Sequence, residues 1–93
     1  MSSDEPFRFA IRDCFSIIGR GVVVAGDIES GTVHVNDLLD LVHAGQTTRT
    51  RCLGVEVGHG RNPDGERVPF VGLLLDGVQK FTAEPGDYVT TPS

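Results

Sequence analysis

Lysine occurs once in this chain of 93 residues, at position 80, and no glycine frame stands before it. A nucleotide-hydrolysing loop needs G-x-x-x-x-G-K-[ST], in which backbone N–H groups cradle the phosphates and the lysine reaches them. The chain alone is therefore expected neither to bind GTP nor to act as an enzyme. Cysteine occurs only at 14 and 52, and histidine only at 34, 43 and 59. None of these makes a Cys-x-x-Cys or His-x-x-x-His pair, so no metal site and no cofactor are expected. No apolar run approaches the length that crosses a bilayer, and no secretory leader precedes the cysteines. A cytoplasmic protein without a membrane partner is the expectation. Free thiols suit that compartment, with a Cys14–Cys52 disulfide as the other reading.

Basic charge is also scarce. Thirteen acidic against eight basic side chains leave a formal charge of −5, which disfavours broad binding to a phosphate backbone, DNA above all. Arg8, Arg12 and Arg20 lie near the start and Arg49 and Arg51 in mid-chain, with no continuous basic run. Sustained helical periodicity is missing too. Twelve glycines and five prolines instead punctuate short apolar segments, as strands joined by turns require.

What is present is concentrated between Asp13 and Val35. Three consecutive valines, Val22 to Val24, are stiff at χ1 and suit a pleated, packed surface. Glycines at 19, 21, 26 and 31 bracket them. The stretch reads as strand, Gly-Arg-Gly loop, strand, turn over Glu29–Thr32, and a further strand through Val33 and Val35. Before it, Phe7, Phe9, Ile11, Phe15 and Ile17 occupy odd positions of one half-buried strand. Asp13 breaks that face, either as a carboxylate turned to backbone N–H groups at a bulge or as a group facing a ligand. Met1 to Pro6 is polar and acidic and reads as a disordered lead, followed by a single domain over 7–92.

Further on, Leu38–Val42 reads as a strand and Ala44–Thr48 as a polar connection. Asn36 suits a left-handed position. Arg49–Val57 reads as a strand with Arg51, Leu53, Val55 and Val57 on one face and Cys52, Gly54 and Glu56 on the other, its Arg51 end leaving the folded body. His59–Val68 has almost nothing apolar and reads as an exposed loop. Pro69 opens a strand whose Phe70–Leu75 run suits the middle of a β core. Glu84-Pro85-Gly86-Asp87 reads as a type II turn leading into a closing strand at Tyr88 and Val89.

The motifs F-S-I-I-G-R-G at 15–21 with the following valines, V-H-V at 33–35, G-V-E at 54–56, V-G-L-L-L-D-G-V at 71–78 and E-P-G-D-Y-V at 84–89 together resemble domain 2 of the elongation factor Tu class of translational GTPases. The similarity runs from about Phe7 to Pro92. It implies an all-β fold, a closed antiparallel six-stranded Greek-key barrel, without the separate GTPase domain. It also implies a non-catalytic binding module whose partner is RNA, as a tRNA 3′ end or the ribosome, or a protein. The protein version is an adaptor, inhibitor or decoy unrelated to translation. Asp13, Phe15, Arg20, Glu56 and His59 are the partner-binding positions the resemblance implies. Arg12 stands where that family usually has an acidic residue, and His59 where arginine is common.

Overall fold

The computed structural model describes residues 5–17, 19, 21–61, 63–78 and 83–92. Among them there is no helix. The strands are β1 (Arg8–Ile17), β2 (Gly21–Ser30), β3 (Leu38–His43), β4 (Gln46–Arg61), β5 (Arg67–Leu75) and β6 (Tyr88–Thr90). All pairings are antiparallel, and the order β1-β2-β5-β4-β3-β6 closes on itself through the β6–β1 pair, giving a ring of six strands. No helix is long and apolar enough to cross a membrane among the described residues. The disordered lead expected at Met1–Pro6 falls mostly on residues 1–4, outside the described ones. Pro6 itself is tied down, its carbonyl oxygen accepting a bond of 2.7 Å from Ser30 Oγ.

The interior is filled by Phe7, Phe9, Ile11, Val22, Val24, Leu39, Leu41, Cys52, Leu73, Leu75 and Val89. The alternation that places them there is interrupted twice. In β1, Ile11 faces Gly26 but Asp13 faces Ala25, so Arg12 is an extra residue. This bulge flips the strand: Phe7, Phe9 and Ile11 point inward, while Asp13 and Phe15 point outward and Cys14 packs against the core. Phe15 is thus an exposed aromatic, and the single odd-position face expected through Ile17 is corrected. In β4, Cys52 faces Leu75 and Gly54 faces Leu74, leaving Leu53 unopposed. Cys52 therefore shares a side of the strand with Val55, which stands opposite Leu73 but stays 38% exposed, and the expected pairing of Val55 with Arg51 does not hold.

Three further expectations are corrected. Residues 33–35 form no strand; instead His34 and Asp37 close a turn, with Asp37 N–H donating to His34 O at 3.1 Å and His34 N–H to Asp37 Oδ2 at 2.8 Å. Asn36 does take the left-handed conformation, at φ 80°. The segment 44–48 is no connection, because β3 and β4 form a hairpin closed by Ala44 and Gly45 alone, at φ 51° and 79°. Nor is 59–68 a loop: β4 continues to Arg61, and β5 begins at Arg67 with His59 opposite Pro69. It is this Arg61 end that leaves the ring, since Arg51 pairs with Leu38 inside it. Before Val71, β5 has no β2 neighbour, which is where a strand tolerates proline.

Ala44 carries a cost that asparagine would lower. A left-handed alanine is penalised by its β-carbon, whereas asparagine adopts this region readily and suits the first position of a two-residue hairpin turn. Ala44→Asn is expected to raise stability by about 0.5–1 kcal/mol in urea unfolding.

Candidate functional site

The register places two rows of residues across the outer face of β1, β2, β5 and β4. One runs Asp13, Ala25, Gly72, Glu56; the next runs Phe15, Val23, Leu74, Gly54. Ala25, Gly72 and Gly54 make a low floor, and a β-carbon at 72 would meet nothing nearer than Val23 Cγ1 at 3.6 Å. Phe15, Val23 and Leu74 stand along one side. On the continuing β4–β5 ribbon, Phe70 lies over Gly58, close enough that a β-carbon there would come within 2.9 Å of its ring. The carboxylates of Asp13 and Glu56 stand at the two ends of their row. Three interstrand spacings lie between their two strands, about 14 Å along the sheet.

Below the Gly26–Val71 pair, β2 and β5 part. The cleft between them is a cavity of about 260 Å³, with Arg12, Asp13 and Phe15 on one wall and Arg61, Val68 and Phe70 on the other. That volume lies under the range for whole drug-sized ligands. It fits one ring or one side chain. Phe15 is 53% exposed beside it, so its face is available for stacking. Asp13 accepts the Cys14 backbone N–H on Oδ1 at 2.8 Å. The carboxylate at the bulge thus caps the backbone and still lines the cleft. Arg12 is paired with Asp27 at 2.8 Å, and Arg61 donates to Gly65 O at 2.8 Å. Glu56 is exposed and makes no hydrogen bond or ion pair among the described residues.

Of the residues singled out in the sequence, Asp13, Phe15 and Glu56 share one face. His59 pairs with Pro69, one position from the Gly58–Phe70 pair, and so faces the opposite side of the ribbon. Arg20 lies outside the described residues. On the side that His59 faces, the cleft has an apolar wall of Ile28, Val57, Pro69 and Val71, with Val57 75% exposed.

Cys14 and Cys52 are not joined in a disulfide. Burial pushes the Cys52 thiol above its ordinary value, with Asp37 adding to the rise against the opposing bond to Gly54 O. Cys52 is accordingly a packing residue rather than a nucleophile.

A second group of side chains was not visible in the sequence. His43, at the end of β3, stands with Glu84 and Asp87, their ligand atoms all within 4.8 Å of one another. The signal that could have found it is the register of β3 on β6: Val42 faces Tyr88, so the next pair outward brings His43 opposite Asp87. No protein-family model matches the chain.

Proposed function

We propose that the chain is a non-catalytic binding module, a Greek-key barrel of the elongation factor Tu domain 2 type, whose outer β1–β2–β5–β4 face receives the unstacked base at an RNA 3′ end. The observation that carries this reading is the half-exposed Phe15 ring beside a floor of small residues, with Asp13 and Glu56 at the ends of that floor. An aromatic face stacks on any base, and carboxylates accept hydrogen bonds from exocyclic amines and ribose hydroxyls. The two arginines of the cleft are already engaged, and the chain is acidic. Affinity then comes mainly from the base and sugar, with few phosphate contacts. The missing phosphate loop supports a role without GTP chemistry.

The test is a fluorescence titration with a short single-stranded RNA ending in a free 3′ adenosine, against the same RNA blocked at the 3′ end. Saturable binding is expected to the free end only, with a shallow salt slope of about one to two. Phe15→Ala should weaken it by about 5- to 160-fold, the worth of one stacked base, while melting like the parent because the ring lies outside the core. Equal binding by Phe15→Ala would sink the reading. A protein partner is the second reading, and the exposed Val57 and Ile28 wall favours it. Loss of a recovered protein partner in Val57→Asp, with no RNA binding by the parent, would select it.

A further inference from the structure

The His43, Glu84 and Asp87 group lies between β3 and β6, strands that take no part in the face described above. Asp87 has its side chain only 3% exposed, with His43 Nδ1 2.7 Å from its Oδ2. The same oxygen accepts the Glu84 backbone N–H at 2.7 Å. These bonds fix the carboxylate from the end of β3 and from the turn before β6. The Glu84–Asp87 turn is closed by Asp87 N–H donating to Glu84 O at 3.1 Å and has Gly86 at φ 95°. His43 is the last residue of β3, set by the two-residue hairpin turn that follows it. Each donor atom thus springs from backbone that is already held in place, as a preorganised site needs.

A His–Asp pair of this kind is usually a simple clamp between two segments. Glu84 is what the clamp does not explain. Its backbone N–H serves the turn, yet its exposed carboxylate reaches the same few ångströms as the other two donors. One imidazole nitrogen and two carboxylate oxygens, partly open to solvent, make a donor set suited to a borderline divalent cation that keeps water in its remaining positions. Donors bound to one such ion at about 2.0–2.2 Å stand roughly 3–4 Å apart, so small rotamer shifts within the observed cluster suffice. The Glu84 backbone N–H on Asp87 would then serve as an outer-shell group that orients a ligand.

We propose that His43, Glu84 and Asp87 bind a divalent cation of the zinc class, joining the end of β3 to the turn before β6. Binding displaces any proton on His43 Nδ1 to solvent. The experiment is calorimetric titration of chelator-treated full-length protein with Zn²⁺, repeated with Mg²⁺ and in buffers of different ionisation enthalpy. A single saturable Zn²⁺ site is expected, with no Mg²⁺ heat. Glu84→Gln is expected to weaken Zn²⁺ binding by about 10-fold or more while leaving the melting temperature of the metal-free protein unchanged, since the clamp keeps both its members. His43→Gln should abolish binding, whereas His59→Gln should not. Absence of saturable Zn²⁺ binding, or equal affinity in the parent and Glu84→Gln, would overturn the proposal.

Discussion

Gly26→Ala is expected to lower stability by at least about 3 kcal/mol, the upper end of overpacking costs. In a domain of this size that corresponds to a fall in melting temperature of roughly 12–24 °C. The cause lies at the β1 bulge. A β-carbon at 26 would overlap the Ala10 carbonyl oxygen and stand 2.9 Å from its carbon and 3.2 Å from the Arg12 nitrogen. All three are backbone atoms, so no rotamer change relieves the contact. Only movement of the bulge does, and the bulge is what turns Asp13 and Phe15 outward. Gly72→Ala is the control, because its β-carbon meets only ordinary contacts; it should stay within about 1 kcal/mol of the parent. Thermal melts followed by circular dichroism separate the two. A Gly26→Ala protein that melts with the parent would mean that β1 and β2 do not approach as described.

The same bulge marks how far the sequence could be read. Strand content, the left-handed Asn36 and the Pro85–Gly86 turn were legible because each rests on local chemistry: stiff valines, an amide that tolerates positive φ, a proline followed by glycine. Asp13 at an odd position looked like a polar exception on one continuous face. It is instead the first residue after an inserted one, where the whole face changes over. The Leu53 bulge left no such trace, since Leu53, Val55 and Val57 are all apolar and alternate without a break. Period-2 reasoning assumes a continuous ladder, and it fails wherever a residue is added.

The distal ribbon was missed for a different reason. Residues 58–61 and 67–70 pair only with each other, so they have no core to face and carry glycine, histidine and arginine in place of an apolar alternation. That composition is also what a loop shows. The Ala44–Gly45 turn escaped because alanine is not a usual residue there. For the candidate site, the gathering of Asp13, Phe15 and Glu56 on one face depends on the strand order β1-β2-β5-β4, which spacing in the sequence does not reveal. The resemblance supplied those positions, and the cross-strand register supplies the physical link between Asp13 and Glu56. His43 and Asp87 are brought together by the β3–β6 register in the same way, across 44 positions of chain.

Asp87→Ala is expected to cost about 2–4 kcal/mol at neutral pH, measured by urea unfolding with chelator present. Its buried carboxylate serves two partners, His43 Nδ1 and the Glu84 N–H. Alanine would leave the Glu84 N–H without its acceptor, at about 1–3 kcal/mol, and would remove the bond to His43, at about 1 kcal/mol more. The turn it braces also reaches β1, because Ile11 N–H donates to the Asp87 carbonyl oxygen at 3.1 Å; the loss therefore spreads to the bulge. The pH dependence identifies the carboxylate as the source. Burial alone would raise the Asp87 pKa, but the bonds from Glu84 and His43 outweigh it and hold the value below the ordinary 3.8. The unfolded chain then binds the proton more readily than the native one, so this contribution is full above the ordinary value and disappears as pH falls through the lowered native value. The stability gap between the parent and Asp87→Ala should accordingly be constant from neutral pH down to the ordinary carboxylate range and shrink below it. Asp87→Asn keeps an acceptor oxygen but carries no charge, and should fall between the two at neutral pH. A gap that stays the same from neutral pH to well below 3.8 would show that Asp87 stabilises the turn by shape alone, without its charge.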